Sequence, residues 1–298
     1  MIMRKLFIII MCLIISVSLV SWVDPNSPDD DPENTDVAYE LYTLSVAKMN
    51  ETDNYASKTK YEMDMTIDGG GMSMTSIMKM DSEFRQYDRK NKSFVGLIDT
   101  EMSVSMPDQS SETSSPMLLT DFNIFTAEDI LYFDVTVSMP GEDDENTKNK
   151  AQLSEENYAT LDKKLFGINS DYGFSLTEND FEDVVVNEQD GVKYFTVKIS
   201  GNTFLDFLYP YVILEPGSLA EEIYAELTYY VSADNYIQKI TAELTSDNFT
   251  LSYTSEFTDF GKVEKTVTPA DAESYELVPF ENIVAPINNT WHDNFLII

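Results

Sequence analysis

At 298 residues, 43% of them apolar, the chain is long enough for one large packed domain or two small ones. Acidic residues outnumber basic ones 53 to 19, giving a formal net charge of −34. With no Lys/Arg-rich stripe, that balance leaves no electrostatic footprint for a nucleic-acid backbone and disfavours adsorption to anionic lipid, while it favours solubility.

Residues 1–22 open with Arg4 and Lys5 and then run apolar from Leu6 to Val20. A charged n-region followed by such an h-region reads as an export signal, with Ser16, Ser18 and Ser21 near candidate cleavage points. An uncleaved signal anchor is the alternative, because residues 6–23 are just long enough to span a bilayer. Cys12, the sole cysteine, lies inside this segment behind the bulky Ile9, Ile10 and Met11, which does not suit a lipid-acceptor site. Removal of the signal leaves a cysteine-free chain, without disulfides, thiol catalysis or cysteine metal sites. The expected location is extracellular or cell-surface, on a bacterium, either secreted or held by the uncleaved anchor.

Residues 23–36, acidic and rich in proline, read as a disordered spacer. A helix follows, capped by Asn34 or Thr35 and ending near Asn50, with Val37, Leu41, Leu44 and Ala47 on one face. From Tyr61 the period becomes two. Tyr61, Met63, Met65 and Ile67 alternate with Glu62, Asp64, Thr66 and Asp68. The glycines at 69–71 mark a turn, after which Met72, Met74, Met78 and Met80 share a side, with Ser76 between them. Further strands carry Phe94, Ile98, Met102, Val104 and Met106 at even positions, then roughly 117–125, then Leu131, Phe133, Val135, Val137 and Met139 at odd positions.

The stretch 141–150 reads as a polar loop and 154–166 as a helix capped by Ser154. Strands resume at 183–187 and 193–200, joined by a turn containing Asp190 and Gly191. Residues 203–214 are apolar and interrupted by Pro210, consistent with short buried helices. The last third gives three alternating strands, turning at 232–235 and near Asp247. The fold class that follows is α+β: a curved antiparallel half-barrel sheet of about ten strands wrapped around a few helices.

Three segments carry a family resemblance. The first is the opening helix with the long amphipathic hairpin behind it. The second is "LTYYVSADNYIQKITAEL", residues 227–244, with Ser232 and Ala233 where an Asp is often seen directly after the Val. The third is "YTSEFTDFGKVEKTVTPADA", residues 253–272, with its D-F-G turn and closing P-A-D-A. Together they resemble the LolA/LppX-like lipoprotein-carrier superfamily over residues 37–272, leaving 273–298 as a C-terminal tail. Many relatives are lipid-anchored through a cysteine after the signal, which this chain lacks. The resemblance implies a hydrophobic cavity for a lipid or other apolar ligand.

Chemistry-bearing motifs are few. His292 is the single histidine and lies near the C-terminus. Carboxylate pairs are too common to single any out, and no nucleophile-elbow, zincin or P-loop pattern occurs. The oxygen-rich runs 29–34 and 141–146 lack EF-hand spacing. The methionines could in principle suit Cu(I), but no His or Cys stands near them in sequence.

For the methionine faces the residues leave two readings, packed core or lining of an apolar groove. The resemblance points to the groove, and thioether side chains adapt to ligands of variable shape. The candidate ligand-lining residues are Met63, Met65, Ile67, Met72, Met74, Met78, Met80, Phe94, Ile98, Met102, Phe133 and Phe195. The expectation is an exported, non-enzymatic, monomeric binding protein that holds a lipid or other apolar small molecule between the concave sheet face and the helices. No cofactor, metal or nucleic-acid partner is expected, and membrane proximity arises only through the N-terminal segment. The alternative is a surface interaction or sensing module with a solid core, to which Phe280, Trp291 and Phe295 of the tail would contribute an exposed patch.

Overall fold

A computed structural model describes residues 32–69, 72–88, 93–105, 116–158, 161, 176–208 and 222–283. The expected signal segment, Met106, Pro210, Trp291, His292 and Phe295 lie outside the described residues. Among the described residues no helix is long and apolar enough to cross a membrane. The chain divides into two compact units, one made of residues 1–51, 166–246 and 288–298 and the other of 52–165 and 247–287.

The second unit is a sheet built largely as a meander. Its strands are β1 (Tyr55–Gly69), β2 (Met72–Asp88), β3 (Ser93–Ser105), β4 (Pro116–Ala127), β5 (Ile130–Ser138) and β6 (Glu145–Gln152). The later strands β11 (Phe249–Thr258) and β12 (Glu276–Leu277) join its two sides, in the order β12-β6-β5-β4-β3-β2-β1-β11. Gly69 pairs with Met72, so the expected hairpin is present with two residues between its arms. All these pairings are antiparallel except β12 against β6, which is parallel.

The first unit holds helix α1 (Pro32–Asn50), strands β7 (Asn187–Gln189) and β8 (Val192–Ser200), helix α2 (Gly201–Leu208), and strands β9 (Tyr224–Val231) and β10 (Ile237–Ser246). These strands are antiparallel in the order β10-β9-β8-β7. Asp190 and Gly191, at φ 52° and 80°, form the two-residue turn between Gln189 and Val192 that the sequence predicts.

The core of the first unit is aromatic. The rings of Tyr39, Tyr42, Phe181, Phe195 and Tyr229 form a chain of neighbours with centroids 5.1–6.2 Å apart. Such edge and offset contacts add to the area each ring buries. This cluster sets the rotation of α1. Ala38, Leu41, Tyr42, Ser45 and Met49 face inward, whereas Val37 and Leu44, expected on the buried face, are 49% and 48% exposed. Tyr42 is buried together with Ala38, Leu41 and Met49 on that face, and its hydroxyl also accepts the Leu176 amide at 3.1 Å.

The twelve strands among the described residues exceed the expected ten or so, and the described architecture is mostly β. One added strand is β6, which lies largely in the stretch read as a polar loop. Its sequence ENTKNKAQ has no apolar alternation, and its order comes from pairing with β5 along eight register positions. The other is the two-residue β12. Residues 183–186 do not form the expected strand, since β7 begins only at Asn187. Phe280 is buried, so it contributes no exposed patch.

Candidate functional site

The second unit's sheet separates its two faces by residue parity. On β1 the odd positions from Tyr55 to Met65 are buried, and on β2 the even positions from Ser76 to Gln86 are buried. Register aligns them into rows that run across the strands. Leu251, Met63, Met78, Met102 and Leu118 occupy one row, with Met102 placed by its backbone alone. The next holds Tyr253, Tyr61, Met80, Thr100 and Thr120, and the one after it Ser255, Thr59, Ser82, Ile98 and Phe122. A fourth holds Phe257, Ser57, Phe84, Gly96, Ile124 and Phe133. Tyr55, Gln86 and Phe94 close the series.

The candidate residues fall into three groups. Met63, Met65, Met78, Met80, Phe94, Ile98 and Phe133 are all buried in this unit. Met63 and Met78 are direct cross-strand partners, and Phe133 stands 5.9 Å from Phe122 between ring centroids. Ile67, Met72, Met74 and Met102 lie on the strands at the expected register positions, but their side chains are outside the described residues. Phe195 belongs to the first unit, fully buried in its aromatic cluster.

The sequence reading missed a band of polar side chains among these rows. Ser57, Thr59, Ser82, Gln86, Thr100, Thr120 and Ser255 are buried in the same unit, and none of them is charged. Thr59 and Ser255 hydroxyls bond each other at 2.9 Å, and Thr100 donates to the Thr120 carbonyl at 3.3 Å. The Phe94 amide donates to Thr126 Oγ1 at 3.0 Å. Ser57 Oγ and Gln86 Nε2 have no hydrogen-bond partner among the described residues. The signal was there: Ser57 and Thr59 continue the odd-numbered face of Tyr61 and Met63 backward, before the point where apolar alternation begins.

Burial governs the ionisable groups of this face. Tyr61 is held well above the usual tyrosine range by desolvation, and its hydroxyl points to Met63 Sδ at 3.4 Å. Tyr253 is pushed up to about 12 by burial, an effect that hydrogen bonds with Ser255 and Thr59 oppose. Both stay neutral at physiological pH.

Charge sits on the opposite face. Lys58–Glu83, Lys60–Asp81 and Glu62–Lys79 face each other between β1 and β2, with N···O distances of 3.1, 3.2 and 3.8 Å. Asp81, Asp99 and Asp121 then oppose one another on β2, β3 and β4. Among the described residues no group of three or more His, Cys, Asp or Glu side chains could hold a metal ion. A separate shallow groove of about 470 Å³ lies open beside Gln152, Asn157 and the segment 277–281.

No protein-family model matches the sequence, and no curated protein matches it. Among solved structures, the chain is similar to the lipoprotein LppX of Mycobacterium tuberculosis, at 12% identity and a TM-score of 0.33, over 78% of this chain and 100% of that one. It is also similar to a β-barrel-like protein of a domain of unknown function from Brucella abortus, at 10% identity and a TM-score of 0.22, over 70% of this chain and 98% of that one. A third similarity is to a protein from Desulfovibrio piger, at 11% identity and a TM-score of 0.20, over 78% of this chain and 95% of that one.

Proposed function

We propose that this is an exported, non-enzymatic binding protein that holds a lipid or similar apolar molecule along the methionine and phenylalanine rows of the second unit's sheet. The observation that carries this reading is the row structure itself. Met63, Met65, Met78 and Met80 present soft, adaptable side chains on two neighbouring strands, with no charged residue among the buried ones of the described residues. Each buried CH₂ of a ligand contributes ~0.8 kcal/mol, so a long acyl chain gains on the order of 10 kcal/mol before ordering costs. Such a ligand needs no ionic anchor.

The rival is an interaction module whose methionines are ordinary core, a reading favoured by the exposure of Met63 and Met78, 0% and 1%. Native mass spectrometry of the delipidated full chain, titrated with a sixteen-carbon ester, separates the two. The carrier reading expects a saturable one-to-one adduct. A protein that takes up none, at ester concentrations well above those that load known carriers, is the module.

A further inference from the structure

We infer that Ser57 and Gln86 form the polar end of the apolar site and select ligands with a neutral carbonyl, as in an ester- or amide-linked acyl chain. This rests on the carrier reading above and adds the ligand's chemical class. Both side chains are nearly inaccessible, at 1% and 2% exposure, and neither Ser57 Oγ nor Gln86 Nε2 has a partner among the described residues. A buried donor left unsatisfied costs its full desolvation, so a group that completes both is favoured.

The two residues are diagonal neighbours. Ser57 opposes Phe84, and Gln86 opposes Tyr55, one row further along the same hairpin. Diagonal partners of this kind lie about 7–8 Å apart at Cα, within reach of one shared oxygen between their side chains. Gln86 Nε2 only donates, and the Ser57 hydroxyl can donate as well. What they share is therefore an acceptor, which a carbonyl oxygen with two lone pairs provides.

The surroundings set the charge of that group. Phe257 and Phe84 flank Ser57 on the two adjacent strands, and Tyr55 and Phe94 flank Gln86. No buried side chain of the described residues is charged, so an ionised carboxylate or phosphate there would be desolvated without a counter-ion. The chain's net charge of −34 adds to that penalty. From Ser57 to Met63 along β1 is about 20 Å at strand rise, the scale of a long acyl chain, and only uncharged residues of the buried face stand between them.

The test compares three probes that share a sixteen-carbon chain on the delipidated full chain: hexadecane, methyl palmitate and, at alkaline pH, palmitate. Wild-type protein is expected to bind methyl palmitate about 2- to 10-fold more tightly than hexadecane, the gain of a neutral hydrogen bond, and palmitate more weakly than the ester. Ser57→Ala with Gln86→Leu should abolish the ester's advantage and leave hexadecane unchanged. Each substitution removes an unsatisfied donor, and circular dichroism checks that the empty variant folds.

An ester advantage that is missing in wild type, or that survives in the double variant, overturns the inference and leaves these atoms to internal water. Failure of all three probes to bind wild type removes the carrier reading itself, an outcome distinct from equal binding of ester and hydrocarbon.

Discussion

Phe84 of β2 lies across Gly96 of β3. The two are direct cross-strand partners, and a Cβ built on Gly96 would stand 2.5 Å from Phe84 Cε1 and 2.8 Å from Cδ1. The glycine is there because the ring occupies its side-chain space. Gly96→Ala should lower the unfolding free energy by about 1–3 kcal/mol, the usual cost of overpacking. Adding Phe84→Leu should make the pair strongly non-additive in a double-mutant cycle read by urea unfolding. An unaffected Gly96→Ala protein would mean that the ring lies elsewhere.

The β4–β5 hairpin turns through Glu128 and Asp129, both in the left-handed region at φ 53° and 62°. Ala127 pairs with Ile130 across them, so this is a two-residue turn of the kind that Asn-Gly fits best. A left-handed backbone costs an ordinary residue about 1–2 kcal/mol. Replacing the pair by Asn-Gly should therefore raise stability by ~0.5–2 kcal/mol, visible as a higher melting temperature. No gain would show that these two carboxylates make compensating contacts.

Asp99 sits between two aspartates of its own row. Partial burial, then the carboxylates of Asp121 and Asp81, hold its carboxyl above the ordinary aspartate value. The folded state thus binds this proton more tightly than the unfolded chain does. The resulting penalty is absent well below the unfolded pKa, grows as pH rises through the folded value, and is full above it. Asp99→Asn should be the more stable protein near neutrality, by less than ~1 kcal/mol because the site is solvent-screened. The advantage should fade below about pH 3 and shrink with added salt, as measured by urea midpoints.

The segment after β11 is fastened to β6 by Lys148. Its Nζ lies 2.7 Å from Asp271 and 3.5 Å from Asp134, and 5.3 Å from the Tyr275 ring centre. The hydrogen bond with Asp271 raises Lys148, against partial burial, and the same bond holds Asp271 below the usual carboxylate range. Asp271's contribution is present above its unfolded pKa and lost as pH falls through the lowered folded value. Lys148's is present below its unfolded pKa and lost as pH rises through the raised one. Exchange of the Val278 amide, which donates to the Lys150 carbonyl at 2.9 Å, reports on this contact. Asp271→Asn should lower the protection factor of that amide, its exchange relative to the intrinsic rate at the same pH, at neutral pH, as should acidification of wild type. Unchanged protection in both would show that the aromatic packing of Tyr275 on Phe125 and Tyr132 suffices alone.

Much of the sheet was legible wherever apolar residues alternate. Tyr61 to Met65 and Met78 to Met80 gave face, hairpin and partner strand together, because period-two burial is a direct consequence of pleat geometry. β6 was not legible, since a strand with polar residues on both faces carries no period. The rotation of α1 was not legible, because the sequence does not show that Tyr42 has a buried partner for its hydroxyl, the Leu176 amide, which lets it take the inward face in place of Val37 and Leu44. Ser57 and Gln86 escaped notice for a related reason. A polar residue on an inward face breaks the apolar alternation that reveals the face, so buried polar residues are those the pattern hides.

The most direct measurement is organic extraction and mass spectrometry of the protein purified from its native host. A carrier of the proposed kind yields a near-stoichiometric neutral, ester- or amide-linked lipid. Consistently empty protein, with Met63 and Met78 packed only against other side chains in a crystal structure of that material, would contradict it.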